Sequence, residues 1–147
     1  MNRIQVGAQD ACGARPGIPT LHCCKHPCFW RATGSRQLAP DDPRYLFVAA
    51  GADLYLNLID GQERYFQKAL FDAACLWLGQ HDGREVLVHC NQGLSRAPAV
   101  AMVYLARIGE LPDDSLYAAT AAYQGEFCLS PGIMAFLEHN WAALMAV

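Results

Sequence analysis

Charged side chains are scarce in this sequence, and neither sign dominates. Lys, Arg, Asp and Glu together make up 17% of the residues, and the formal net charge is -3. A protein that binds a nucleic acid or an anionic membrane surface concentrates positive charge, so we expect neither partner here. The sequence also lacks a run of about 18 or more apolar residues and, near its start, the apolar stretch of an export signal. These absences favour a soluble, cytoplasmic protein whose partner is a small group.

Cysteine is plentiful, but the patterns that make it a structural cross-link are missing. The seven cysteines are an odd number in a chain without an export signal, so we expect reduced thiols rather than disulfides. The densest stretch, HCCKHPC at 22–28, makes zinc an alternative. It contains no Cys-x2-Cys pair, however, and no second ligand pair follows at finger spacing. We therefore predict no metal, and interpret the stretch as a strand end with small thiols.

The length and hydrophobicity of the chain suit one domain. With 147 residues, 53% of them hydrophobic, the chain can bury a core, and we expect a single domain over 1–147. Short apolar stretches predict strands at 4–6, 18–22, 45–49, 54–59 and 85–89. Helical spacing of apolar residues predicts helices at 66–78, 97–108, 116–124 and 132–145. Ser115 and Ser130 are N-cap signals for the last two helices, and 7–17 and 31–43 are predicted loops.

The stretch HCNQGLSRAP at 89–98 joins a predicted buried strand to a predicted buried helix. Such a joint presents unpaired backbone N–H groups and the partial positive charge of a helix N-terminus, which together bind anions. A cysteine at its base, Cys90, lies in an environment that favours the nucleophilic thiolate. Arg96 can grip two phosphate oxygens with its planar guanidinium. The sequence therefore predicts a phosphate-binding loop made of Asn91, Gln92, Gly93, Leu94, Ser95 and Arg96.

This stretch resembles the His-Cys-x5-Arg signature of the cysteine-dependent protein tyrosine phosphatase superfamily. The chain is most similar to the dual-specificity branch, in its small phage and bacterial type, and the likeness extends from about residue 54 to 141. The resemblance implies an α/β fold with a single mixed, mostly parallel sheet of about five strands flanked by helices. It also implies a phosphocysteine intermediate on Cys90 and no cofactor or metal.

The resemblance further implies a general acid on a neighbouring loop, and Asp60 is the candidate. Asp60 ends a predicted strand, precedes Gly61 and lies thirty residues before Cys90. The alternative for Asp60 is a turn residue without chemistry. Cys23 and Cys24 are candidate redox partners that could trap oxidised Cys90 as a disulfide, because the family sheet order brings their strand end near the loop.

The function predicted on these grounds is hydrolysis of phosphomonoesters. The expected substrate is a protein carrying phosphotyrosine, phosphoserine or phosphothreonine, or a small phosphomonoester. Positions 91–95 carry no Lys or Arg to hold additional phosphates, which argues against phosphoinositides. Two alternatives stay open. One is a phospho-binding module with little turnover, supported by Ala97, where most relatives have Ser or Thr. The other is a rhodanese-like sulfur transferase, which also uses a cysteine loop, although Gly93 and Asp60 fit phosphoryl transfer better than sulfur transfer.

Overall fold

The computed structural model describes residues 3–147 and contains a five-stranded sheet. Its strands are β1 (Arg3–Gly7), β2 (Thr20–His22), β3 (Phe47–Ala50), β4 (Asp53–Leu56) and β5 (Glu85–His89). They are ordered β1-β5-β2-β4-β3. Strand β3 pairs antiparallel with β4, and the other pairs are parallel. The prediction of a mixed, mostly parallel sheet is confirmed.

Helices cover the sheet and carry the chain between strands. They are α1 (Trp30–Thr33), α2 (Lys68–Gln80), α3 (Arg96–Arg107), α4 (Leu116–Ala122) and α5 (Pro131–Met145). Short 3₁₀ turns lie at Gln9–Ala11 and Glu63–Tyr65, and Lys25–Phe29 forms an irregular helical segment. Within residues 3–147, no helix combines the length and the apolar character needed to cross a membrane.

Strand β5 and helix α3 form the centre of the molecule. Four consecutive residues of β5, 86–89, are buried, because β1 and β2 flank the strand and helices cover such a sheet on its faces. Helix α3 packs on β1 and β5 and against α2 and α5, which explains why ten of its residues are buried. The joint between β5 and α3 therefore opens at the carboxyl edge of the sheet, where α/β folds bind ligands.

The chain after β2 departs from the predicted strand end. Pro27 has no N–H to give to a sheet ladder, and the segment turns into a helical conformation that buries Cys28 and Phe29. It continues into α1, which takes up the first residues of the predicted loop 31–43. The interpretation of 22–28 as a strand end is therefore wrong beyond His22.

Several predicted boundaries shift by one to three residues. Helix α2 begins at Lys68 because Phe66 closes the preceding 3₁₀ turn, its N–H donating to the Glu63 carbonyl, and Gln67 is extended. Strand β4 ends at Leu56, so residues 57–60 form a loop rather than the end of a strand. That loop carries Asp60.

Candidate active site

Cys90 lies directly after β5, at the base of the loop that leads into α3. The thiol is 2% exposed, and its Sγ accepts hydrogen bonds from the backbone N–H groups of Gly93 at 3.3 Å and Ala97 at 3.4 Å. The loop can curl around the sulfur because Gly93 has a φ of 75°, in the left-handed region. A Cβ at Gly93 would also lie 2.9 Å from the carbonyl carbon of Gly7. Glycine is therefore required here both by the turn and by the close approach to β1.

Arg96 opens α3 with a buried guanidinium that is tied at two points. Its Nη1 donates to the Leu58 carbonyl at 2.8 Å, and its Nη2 donates to Oδ1 of Asn91 at 2.5 Å. Asn91 in turn donates from Nδ2 to the His26 carbonyl at 3.0 Å. Since a guanidinium carries five N–H groups, these two bonds fix its orientation and leave donors for an anion.

The Asp60 carboxylate is held from the far side of the loop by α5. Ser130, the N-cap residue of α5, donates its hydroxyl proton to Oδ1 of Asp60 at 2.5 Å. The Ser130 backbone N–H donates to the Ser95 hydroxyl at 3.0 Å, and the two hydroxyl oxygens are 3.1 Å apart. These hydrogen bonds connect Ser95 of the Cys90 loop, through Ser130, to Oδ1 of Asp60. Oδ2 of Asp60 takes no part in them.

Asp60, Cys90 and Arg96 line one cavity of about 440 Å³. The structure therefore brings together the three residues predicted to be catalytic, and Asn91, Gln92, Leu94 and Ser95 of the predicted loop line the same cavity. Gly93 contributes its N–H to the sulfur instead. Among residues 3–147, Arg96 is the only Lys or Arg on the walls of this cavity. A larger cavity of about 790 Å³ on the other side of residues 92–94 contains none of the three catalytic candidates.

The two predicted redox partners occupy different environments. Cys23 is fully buried, and its backbone N–H donates to the His89 carbonyl at 2.8 Å. The pKa of the Cys23 thiol is raised, mainly by burial and to a smaller extent by the neighbouring Cys90. The Cys24 thiol instead points towards Gln9, donating to its Oε1 at 3.7 Å, and its hydrogen bond to Cys28 raises its pKa. Cys23 is therefore on the Cys90 side, and a disulfide between them stays a prediction.

Sequence reasoning missed the role of the Ser130 hydroxyl. Ser115 caps α4 as predicted, accepting the Ala118 N–H at 3.0 Å. Ser130 occupies the predicted N-cap position, but its side chain makes no capping bond and binds Asp60 instead. The two residues are 70 positions apart, and no local pattern signals the contact.

Comparison with known proteins gives a consistent result at the level of structure. No family model and no curated protein matches the chain. Solved structures do: human DUSP28 covers 99% of this chain and 93% of its own at 22% identity, with a TM-score of 0.67. The match to the Yvh1 phosphatase domain from Chaetomium thermophilum covers 97% of this chain and 92% of that domain, at 19% identity and with a TM-score of 0.63.

This chain has the dual-specificity phosphatase fold. The predicted resemblance is confirmed at the level of the fold. A third solved structure, PTPMT1 in complex with PI(5)P, covers 88% of this chain and 79% of its own at 14% identity, with a TM-score of 0.55. In this phosphatase fold, the cavity with Cys90 lies at the carboxyl edge of the sheet, beyond β5.

Proposed function

We propose that this chain hydrolyses phosphomonoesters through a phosphocysteine on Cys90. The observation that carries the proposal is the cavity in which a nucleophile, an anion clamp and an acid meet: Cys90, Arg96 and Asp60 all line it. Backbone N–H groups of Gly93 and Ala97 point at the sulfur, an arrangement that stabilises negative charge there. The dual-specificity phosphatase fold of the chain supports the same reaction class.

The proposed reaction has two steps. In the first, the Cys90 thiolate attacks phosphorus and forms an S–P bond while the ester P–O bond breaks, and Asp60 gives its proton to the departing oxygen. In the second, water attacks the phosphocysteine and gives a proton to Asp60 as the S–P bond breaks. Inorganic phosphate leaves and the thiolate is restored. Arg96 and the loop N–H groups hold the transferring phosphoryl group in both steps.

The walls of the cavity favour a substrate with one phosphate. Arg96 is the only Lys or Arg that the described part of the chain places there, whereas a second phosphate would call for further positive charge. PTPMT1 is recorded with PI(5)P, but this chain has no basic residue at 91–95. We therefore propose phosphotyrosine, phosphoserine or phosphothreonine in proteins as the substrate class, with small phosphomonoesters as alternatives.

The test is phosphate release from a phosphotyrosine peptide and from p-nitrophenyl phosphate. The wild type should turn over, Cys90→Ser should be inactive while still binding vanadate, and Cys75→Ser, which removes a buried thiol on α2, should retain activity. A wild type that binds phosphopeptide without turnover would establish the binding-module alternative. Transfer of sulfur from thiosulfate to cyanide would establish the rhodanese-like alternative. Full activity of Cys90→Ser would end the covalent mechanism.

A further inference from the structure

A second group of reactive side chains lies behind the Cys90 loop and has no part in the proposed reaction. We call Cys12, His22, Cys28 and His89 the thiol–imidazole cluster; one ligand atom from each lies within 4.8 Å of the other three. Three of these side chains are buried, and Cys12 is partly exposed. The cluster is therefore largely shielded from solvent and meets it at Cys12.

The spacing of the four atoms resembles the corners of a tetrahedron. Zn²⁺ binds cysteine sulfur at roughly 2.3 Å and histidine nitrogen at roughly 2.0–2.1 Å, which sets tetrahedral ligand atoms roughly 3.3–3.8 Å apart. The two sulfurs of the cluster are 3.9 Å apart. The sulfur–nitrogen pairs Cys12–His22 and Cys28–His89 are 3.7 and 3.8 Å apart. The two histidine nitrogens, at 2.8 Å, would have to separate by about half an ångström, and the remaining two sulfur–nitrogen pairs lie within 4.8 Å.

Both imidazoles are oriented as metal-binding histidines are. His22 directs Nδ1 into the cluster, and its Nε2 lies 3.0 Å from Oδ2 of Asp53. His89 directs Nε2 into the cluster, and its Nδ1 lies 3.4 Å from the Cys90 carbonyl oxygen. Histidine ligands of metals usually donate their second N–H to a carboxylate or a carbonyl, which fixes the tautomer and the ring. Tyr55 also stacks on the His22 ring, with centroids 4.1 Å apart.

We propose that the thiol–imidazole cluster binds one Zn²⁺ in a closed, structural Cys2His2 site. Two thiols lose their protons to the solvent when the metal binds, so two thiolates balance the charge of Zn²⁺ and the two imidazoles stay neutral. Four protein ligands fill the tetrahedron and leave no position for a reacting water. The role is therefore to hold the fold rather than to activate a substrate.

The sequence alone predicts no metal because the ligands come from four separate parts of the chain. Cys12 follows the first 3₁₀ turn, His22 ends β2, Cys28 lies in the irregular helical segment, and His89 ends β5. No spacing motif joins them. A zinc ion here would fasten the loop after β1 and the segment after β2 to the centre of the sheet, next to Cys90.

Zinc content of the purified protein tests the proposal without any turnover. The chain is produced with zinc in the medium, dialysed with reductant, and analysed by inductively coupled plasma mass spectrometry. The wild type should hold about one zinc per chain. Cys12→Ser and Cys28→Ser should lose it, and Cys128→Ser should keep it, since Cys128 is an exposed thiol away from the cluster. Cys90→Ser should also keep it, which separates this site from the proposed reaction.

Three results would overturn the proposal. They are a wild type without zinc, zinc that disappears in Cys128→Ser but stays in Cys12→Ser and Cys28→Ser, and a native disulfide between Cys12 and Cys28 found by peptide mapping. Circular dichroism checks that each variant is folded. Should the cysteine variants fail to fold, Co²⁺ added to metal-stripped wild type decides: thiolate-to-cobalt charge-transfer bands with tetrahedral d–d absorption are expected. Octahedral, thiolate-free absorption would refute the site.

Discussion

The Asp60 carboxylate accepts a hydrogen bond from Ser130 and lines the cavity with Cys90. Ser130 donates to Oδ1, so Oδ2 is the oxygen that can carry a proton to a leaving group in the cavity. A general acid helps most when the departing oxygen is a strong base. The identity of the leaving group therefore reports directly on Asp60.

We expect Asp60→Asn to slow hydrolysis of a tyrosyl or alkyl phosphate by roughly 10²–10⁴-fold. An aryl phosphate with a low-pKa leaving group should lose far less, because its oxygen departs without a proton. Comparison of kcat/KM for the two substrates is the measurement. Equal losses on both would assign the acid to another residue.

Ala97 has no side-chain hydroxyl that could donate to the departing thiolate in the proposed second step. Its N–H donates to Sγ of Cys90 at 3.4 Å, and its side chain is completely buried. A hydrogen bond to a charged group contributes roughly 1.5–3 kcal/mol, equivalent to about tenfold to a hundredfold in rate. We therefore expect breakdown of the phosphocysteine to limit turnover.

Ala97→Ser should raise kcat by about tenfold or more without changing the rate of the first step. Rapid-mixing kinetics of an aryl phosphate measure both: the wild type should show a burst of leaving group, and the variant a faster steady state after a similar burst. An absent burst together with an unchanged kcat would show that residue 97 does not set the rate.

At the scale of elements, the N-terminus of α5 fixes the loop that carries Asp60. Gly132 packs so closely on this loop that a Cβ would lie 1.6 Å from the Gly61 carbonyl oxygen. The atoms nearest to this Cβ position belong to the backbone of Gly61 and Gln62, so no flexible side chain can move aside. Any side chain at 132 must therefore change the position of the Asp60 loop relative to the start of α5.

Gly132→Ala should reduce hydrolysis of tyrosyl phosphate while largely sparing an ester with a low-pKa leaving group, as Asp60→Asn does. Gly79→Ala is the matched control, because Gly79 lies in α2 with open space around its Cβ position. The control should keep full activity. If Gly132→Ala also kept full activity on tyrosyl phosphate, α5 would not position the acid.

Asp72 connects three helices through one arginine. Partial burial of Asp72 would raise its pKa, but hydrogen bonds from Arg107 and Lys68 outweigh this and lower it. Arg107 also donates from Nε to the Leu144 carbonyl at 2.8 Å, so α2, α3 and α5 meet here. A carboxylate with a lowered pKa stabilises the fold above its unfolded-state pKa of about 3.9, and this contribution is lost as pH falls through the folded-state pKa.

Asp72→Asn should lower the free energy of unfolding at pH 7 by roughly 0.5–1 kcal/mol, a small effect because the carboxylate is 40% exposed and screened by water. Urea unfolding of wild type and variant at neutral and acidic pH measures it. The difference should shrink as the pH falls through the lowered folded-state pKa of Asp72. A difference that stayed constant with pH would mean that charge is not its cause.

Elements with local signals are the ones that the sequence predicts well. Strand β5 and the start of α3 match within one residue, because an unbroken apolar run and a glycine–proline joint define them. The helical segment 25–33 is not predictable in this way, since the burial of Cys28 and Phe29 against the rest of the fold decides it. Likewise Cys90 and Arg96 follow from a short motif, whereas the Asp60–Ser130 bond needs the complete tertiary structure.

In the whole molecule, the two proposed sites meet at adjacent residues in the centre of the sheet. Successive side chains along a strand point to opposite faces, and at the end of β5 His89 faces the thiol–imidazole cluster while Cys90 faces the phosphate loop. The five-stranded order puts β5 between β1 and β2, so both sites are supported from both sides. Both proposals thus depend on the joint between β5 and α3.

Trapping of the covalent intermediate tests whether Cys90 carries the phosphoryl group during turnover. Wild-type protein is mixed with an aryl phosphate, quenched in denaturant within milliseconds, digested, and analysed by mass spectrometry. We expect a phosphoryl group on the peptide that contains Cys90, no such group in Cys90→Ser, and decay of the signal as phosphate appears. Phosphate release by the wild type with Cys90 unmodified at every quench time would contradict this expectation.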